Sequence, residues 1–377
     1  MPKLFIITNN DKFFLSHRSP IALAAKEAGY DVTILASATG RQSEITDMGL
    51  NYIELPMNTT GMNKWEELKT LRFLKKIYRT EKPDIVHHVG LKPILWGTCA
   101  ARFAKIPHVV NAISGTGFLF SPEKRNSKAS KAVRFLLKMV NKKSDVFIFQ
   151  NHDDEKEFIK AGIIDSCQTR FIKGSGVDLN RFSYVPEDDK DNKKLKVVFT
   201  GRMIKSKGVM EFIQAAVILR QKYYEKVEFL LCGGLDSNPT ALQKYELETL
   251  CDGKYIKWLG FQSNIYEILK QCHIFVFPSY YMEGLPKSII DAQSAGLPVI
   301  TTDWVGCRDT VINGENGFLV PVKDAETLAK KIDLLLEDTE LRQRMGKNAR
   351  YFAEQNFDIN SVIKKHLEIY ALFFAKH

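Results

Sequence analysis

Short, unbroken apolar runs alternate with helix-like stretches along this chain, and the pattern is played out twice. In the first half the runs fall at residues 4–8, 32–35, 52–55, 85–88, 109–112 and 146–150, with helical periodicity or Ala/Lys/Leu-rich composition at 20–28, 65–80 and 94–104. Strands that are apolar at every position, rather than at every other one, are covered on both faces, as in parallel sheets made of βαβ units. The pattern stops at Pro186-Glu187-Asp188-Asp189-Lys190-Asp191-Asn192-Lys193-Lys194, a polar stretch without apolar periodicity that reads as a linker. It then restarts with runs at 197–200, 227–232, 256–259, 274–277 and 299–302, helices at 209–223 and 286–295, and a helical tail over 325–374. The expectation is an α/β protein of two successive Rossmann-like domains, residues 1–180 and 190–357, with a cleft between them that receives strand C-termini and helix N-termini.

With 377 residues, each half can bury its own core. The net charge of +10 is unevenly spread: residues 1–180 hold 27 basic and 18 acidic side chains, and the remainder holds 27 and 26. A positive balance confined to one half points to a localised anionic partner. The six cysteines are dispersed without a Cys-x-x-Cys, so neither a zinc knuckle nor a dense disulfide framework is encoded, and a reducing cytoplasm fits. No apolar run reaches the ~18 residues of a spanning helix, which leaves lying on a membrane as the mode of any membrane association.

Two stretches at strand ends carry chemistry. Thr200-Gly201-Arg202-Met203-Ile204-Lys205-Ser206-Lys207-Gly208 leaves a strand and enters a helix. Its glycines allow close approach of backbone to a ligand, the helix start offers unpaired N–H groups, and Arg202 and Lys207 add positive charge suited to a diphosphate. A solvated strand-helix turn would use the same residues. Pro278-Ser279-Tyr280-Tyr281-Met282-Glu283-Gly284-Leu285-Pro286 places Glu283 before a helix, with Pro286 at its first position. There the carboxylate can accept from sugar hydroxyls, or simply cap the helix. Asp291 follows two turns into that helix.

Taken with Gly296-Leu297-Pro298-Val299-Ile300 and Asn313-Gly314-Glu315-Asn316-Gly317-Phe318-Leu319-Val320, these stretches resemble, in order, the donor-binding half of the retaining family 4 glycosyltransferases across residues 195–357. Phe13-Phe14-Leu15-Ser16-His17-Arg18, Gly90-Leu91-Lys92-Pro93, the stretch 111–118 and Gly174-Ser175-Gly176-Val177-Asp178 are similar to a bacterial subgroup that builds surface polysaccharides or lipid-linked oligosaccharides.

The resemblance implies the GT-B architecture and transfer of a hexose or N-acetylhexosamine from a nucleotide-sugar, a UDP-sugar by subgroup, to a polyprenyl diphosphate-linked saccharide. It implies retention of configuration with neither metal nor other cofactor. Donor binding falls to Gly201, Arg202, Lys207, Glu283, Gly284, Leu285, Pro286 and Asp291, with the base near Gly260 and Phe261. Acceptor binding falls to His17, Arg18, Lys92, Ser114, Gly115, Thr116 and Gly117. Glu283, Arg202, Lys207 and His88 are the catalytic candidates, since family members carry a functional histidine near the end of the fourth strand. One departure is Asp291 where the family usually has Glu, a side chain shorter by ~1.5 Å. The C-terminal helix, about 358–377, is expected to pack back on the first domain, and this helix and the linker near Glu187 are the candidate hinges.

The stretch 124–143 interleaves eight basic residues with Val133, Phe135, Leu136, Leu137, Met139 and Val140. A basic amphipathic helix suits an anionic membrane surface, or packs its apolar stripe on the sheet. Peripheral attachment to the cytoplasmic face of the inner membrane is therefore expected. Nucleic acid is not expected as a partner, because no recognisable motif accompanies the basic half. The Gly-x-Gly pairs at 115 and 174 do not continue into a dinucleotide fingerprint. A UDP-sugar 2-epimerase of the same fold is the alternative enzyme reading.

Overall fold

A computed structural model describes residues 1–58, 63–117, 124–142, 145–190, 193–236, 238 and 240–375. Phe118, Lys143, Asp191 and Asn192, which fall within the stretches read above, lie outside the described residues. The chain forms two α/β units: Met1–Gly176 with Met282–Gly284 and Ile359–His377, and Val177–Tyr281 with Leu285–Asp358.

Among the described residues the first unit has seven strands: β1 (Lys3–Asn10), β2 (Asp31–Ser37), β3 (Asn51–Glu54), β4 (Ile85–Val89), β5 (His108–Ala112), β6 (Val146–Phe149) and β7 (Thr169–Phe171). They pair in the order β3-β2-β1-β4-β5-β6-β7, all parallel. Both faces are covered, which explains the unbroken apolar runs: in β1, Leu4 and Ile6 enter one core cluster while Phe5 and Ile7 enter another on the opposite face. The first cluster includes Val362, Ile369 and Tyr370 of the C-terminal helix Ile359–Leu372. The second is closed by the helices Lys64–Glu81 and Leu91–Ala104.

The second unit has β8 (Leu195–Thr200), β9 (Val227–Cys232), β10 (Ile256–Trp258), β11 (Ile274–Phe277), β12 (Val299–Thr302) and β13 (Gly317–Val320), paired in parallel as β10-β9-β8-β11-β12-β13. The strand order reverses beside β8, the first strand of this unit, as in doubly wound folds. A single apolar cluster runs through the unit.

The chain passes between units after Gly176 and after Asp358, and on either side of the short segment Met282–Gly284, rather than in the polar stretch 186–194. The hinge expected near Glu187 is corrected accordingly. Glu187 is ion-paired with the Arg342 guanidinium, whose side chain is 3% exposed, and Lys190 donates to the Cys272 carbonyl at 2.6 Å. Both anchors lie inside the second unit. The linker-like composition reflects charged side chains that find buried partners, and burial draws the Lys190 ammonium down to about 8.

Candidate functional site

At the end of β8 the chain turns through Gly201 and Arg202 into a short 3-10 turn, Lys205–Lys207, and then into the helix Val209–Tyr223. Gly208 caps that helix in the left-handed region, φ +84°, with its Cα so close to the Pro278 carbonyl that no side chain fits. Arg202 is exposed and pairs through Nη1 with Asp236 Oδ2 at 3.1 Å. The Lys207 ammonium lies 5.0 Å from the Tyr281 ring centre and 5.5 Å from that of Phe277, so two aromatic faces hold it in place. The loop after β10 carries Gly260 and an exposed Phe261, and the Gly260 carbonyl accepts from Gly233 N at 2.8 Å. Leu285 and Pro286 are buried; Pro286 is the N-cap, one place before the expected helical position, and the helix is Lys287–Ser294.

Asp291 is buried on that helix, where its carboxylate accepts from Lys287 Nζ at 2.5 Å. Burial raises its pKa, and Lys287 works in the opposite direction. This packing gives Asp291 a lysine partner and lends no support to the expected direct contact with a ribose.

In the first unit the loop after β5 meets the short segment Met282–Gly284. Gly117 N donates to Met282 O at 3.4 Å, and a Cβ at Gly115 would stand 2.7 Å from Gly284 N and from Met282 O. A Cβ at Gly284 would crowd Gln150, Ser114 and Gly115. Both glycines thus permit a backbone-to-backbone approach that alanine would block. The structure brings together two expectations that the sequence treated separately: Ser114, Gly115, Thr116 and Gly117 on one side, Glu283 and Gly284 on the other. Residue Asn151, which sequence reasoning passed over, joins them. It caps the helix His152–Lys160 by accepting from Asp154 N at 2.7 Å, and its amide faces the carbonyls of Glu283 (3.1 Å) and Gly284 (2.8 Å). An Asn placed directly after an apolar run and three residues before an acidic one was the available signal.

Other expectations in the first unit are corrected. Neighbouring β4 residues face opposite layers, and both histidines are fully buried. His88 Nδ1 lies 2.8 Å from Asn111 Oδ1 and must donate to it, which leaves Nε2 to accept from Tyr78 Oη at 3.0 Å. With both ring nitrogens engaged inside the core, His88 has no route to a substrate, and the expected catalytic role is withdrawn. Burial pulls its pKa down to about 4, so the ring is neutral near pH 7. His87 faces the C-terminal helix, 2.7 Å from Tyr370 Oη.

Arg18 is 2% exposed and packs near the same helix, with burial lowering its pKa to about 10. It stays cationic but faces the core, which contradicts the expected acceptor-phosphate contact. His17 ends the helix Asp11–His17, its ring stacked 4.4 Å from that of Phe13 and its Nδ1 2.6 Å from Ser16 Oγ. Lys92 donates to Glu67 Oε1 at 2.7 Å and to Asn58 O at 2.8 Å, a tie between the start of its own helix and neighbouring segments.

The helix Lys128–Val140 buries Val133 and Leu137 while Phe135 is 63% and Met139 66% exposed, beside exposed Lys128, Lys131 and Lys138. Among the described residues no helix is long and apolar enough to cross a membrane, and no group of three or more His, Cys, Asp or Glu could hold a metal ion.

Comparison with known proteins assigns this combination of two parallel α/β units. Residues 181–352 match the family described as glycosyl transferases group 1, and residues 3–151 match the glycosyl transferase 4-like family. The chain belongs to the family 4 glycosyltransferases of GT-B fold, and its activity is glycosyl transfer. It is 31% identical, over 95% of its length and 97% of the relative's, to the Campylobacter jejuni N,N'-diacetylbacillosaminyl-diphospho-undecaprenol alpha-1,3-N-acetylgalactosaminyltransferase. It is 29% identical, over 90% and 89% of the two chains, to the Escherichia coli UDP-Gal:alpha-D-GlcNAc-diphosphoundecaprenol alpha-1,3-galactosyltransferase. In fold it is similar to Anabaena Alr3699/HepE, crystallised with UDP and glucose, with a TM-score of 0.79 at 20% identity over 98% of this chain and 100% of that one. Nothing in these relationships favours the 2-epimerase alternative, which is set aside.

Proposed function

We propose that the chain transfers a sugar, with retention and without a metal, from a UDP-sugar to a saccharide carried on polyprenyl diphosphate in bacterial glycan synthesis. The observation that carries this reading is the glycine-framed turn at the end of β8, which keeps Arg202 exposed and Lys207 braced between two rings at the start of a helix. Departure of UDP builds negative charge on the diphosphate. Preplaced cations and helix N–H groups stabilise that charge more in the transition state than in the bound donor. Arg202 offers a planar fork and Lys207 a point charge, together the electrophilic assistance that a metal gives elsewhere. Glu283 orients the donor sugar by accepting from its hydroxyls, and the departing phosphate takes the acceptor's proton. Support for the acceptor class comes from the Campylobacter and Escherichia coli relatives, both named for diphosphoundecaprenol-linked substrates.

The exposed face of the helix Lys128–Val140 suits a peripheral position on an anionic membrane, apolar side chains entering the headgroup boundary and each lysine adding about 1 kcal/mol near the surface. A position on the cytoplasmic face of the inner membrane is part of this proposal, supported by the diphosphoundecaprenol-linked substrates for which the two relatives are named.

The test is a screen of UDP-sugars with undecaprenyl-diphosphate-linked saccharides, with the product's anomeric configuration read by NMR and the reaction repeated in excess EDTA. The expected result is an α-linked product from an α-linked donor, at unchanged rate in EDTA. An inverted linkage or abolition by EDTA contradicts retention or metal independence respectively, and no transfer from any UDP-sugar contradicts the donor class. Sedimentation with phosphatidylglycerol vesicles, lost at high salt or in Phe135→Ser/Met139→Ser, tests the membrane surface.

A further inference from the structure

Asn151 is fully buried, as is Asp154 at 2% exposure. The two hydrogens of the Asn151 amide are shared among three acceptors: Asp154 Oδ2 at 3.0 Å, Glu283 O at 3.1 Å and Gly284 O at 2.8 Å. Its oxygen is occupied by Asp154 N, and the second carboxylate oxygen of Asp154 accepts from Thr116 Oγ1 at 3.0 Å. Every atom of this amide therefore has a defined direction. Capping the helix alone needs only an acceptor, which Asp or Ser would supply as well. Donating to two successive carbonyls while capping needs an amide.

We propose that Asn151 is a positioning residue for glycosyl transfer. By holding the carbonyls of Glu283 and Gly284, its amide sets the orientation of those peptide units and the direction in which the Glu283 side chain leaves the backbone, while Asp154 and Thr116 lock the amide's own rotamer. This rests on the reading of Glu283 as the group that orients the donor sugar. Aspartate at 151 keeps the cap but turns an acceptor oxygen toward two carbonyls and a carboxylate; serine keeps the cap and is too short to reach them.

The experiment compares Asn151→Asp, Asn151→Ser and Glu283→Gln in the full chain, measuring thermal midpoint, UDP affinity by calorimetry, and kcat and KM with the UDP-sugar found in the screen. A misdirected carboxylate costs about 10²-fold in rate. The expected result is that kcat falls about 10²-fold in Asn151→Asp and at least about tenfold in Asn151→Ser, with UDP affinity and KM within about threefold of the parent. Should Asn151→Asp fail to fold, Asn151→Ser decides. Values of kcat within threefold of the parent in the folded variants overturn the proposal, as does a loss of rate that only matches a loss of UDP-binding capacity. If Glu283→Gln abolishes transfer while the Asn151 variants do not, the positioning role alone fails; if Glu283→Gln transfers normally, the reading of Glu283 fails and takes the positioning role with it.

Discussion

Four basic side chains of the first unit and two of the second, all close to the strands, meet opposite fates. Arg18, His87 and His88 of the first unit, and His366 on its C-terminal helix, are all 2% exposed or less. Arg202 in the second unit is exposed, and Lys207 lies between ring faces at the start of a helix. All but Arg18 and His366 lie in or beside the C-terminal half of a parallel strand, where ligands of α/β folds usually bind. Residue type and strand position therefore do not determine availability; the layer packed over the strand does. In the first unit the covering layer includes Tyr370, 283 residues away from the histidine it contacts. The inward basic groups are part of the packed core, and the outward ones are those proposed to serve transfer.

The largest expected effect separates these roles. Arg202→Ala and Lys207→Ala each lower kcat/KM by about 10²–10³-fold while leaving the urea midpoint nearly unchanged, as steady-state kinetics beside denaturation curves would show. A similar loss of stability in either variant would erase the contrast. The converse is His88→Ala, which removes a buried ring and orphans Tyr78 Oη, while Asn111 Oδ1 keeps Thr98 Oγ1 as its donor. It should cost about 2–4 kcal/mol of stability, yet the folded fraction at low temperature should keep kcat within threefold. A folded His88→Ala without activity would restore the catalytic role withdrawn above.

Acid sharpens the same comparison. Burial lowers the pKa of His88 to about 4 and of His366 and His273 to about 3, with His87 shifted the same way. These values lie below the ~6.5 of an unfolded histidine, so the unfolded chain takes up protons first. The stability from burying neutral rings is complete above about pH 6.5 and is lost as the pH falls toward 4. Each ring contributes at most about 1.4 kcal/mol per pH unit. Three of the four lie in the first unit and His273 in the second, so urea transitions at pH 7.5, 6 and 5 should show the first unit weakening more; equal slopes would contradict this.

The smallest effect concerns the half-exposed Arg202–Asp236 pair. Such pairs are worth about 1 kcal/mol or less, so Asp236→Asn should change UDP affinity by less than about fivefold, measured by calorimetry.

The two-unit architecture was legible because it rests on unbroken apolar runs, a signal that parallel sheets produce directly. The strands β7 and β13 were not read as such: Thr169-Arg170-Phe171 is short, and Gly317–Val320 opens with a glycine. The unit boundary was displaced toward 186–194 because polar composition resembles a linker even when Glu187 and Lys190 are anchored by Arg342 and the Cys272 carbonyl. For the site, the turn from Gly201 to Gly208 was legible through local spacing. The layer faced by each of His87 and His88, and the use of the Asn151 amide, depend on residues distant in sequence, Tyr370, Glu283 and Gly284, which no local pattern announces.

Whether Arg202 and Lys207 hold the donor diphosphate is decided by calorimetric titration of UDP into the parent protein and into Arg202→Ala/Lys207→Ala. Saturable one-to-one binding by the parent and a loss of at least about 30-fold in the double variant are expected. Equal affinity in the two proteins, or no binding to the parent, would contradict that role.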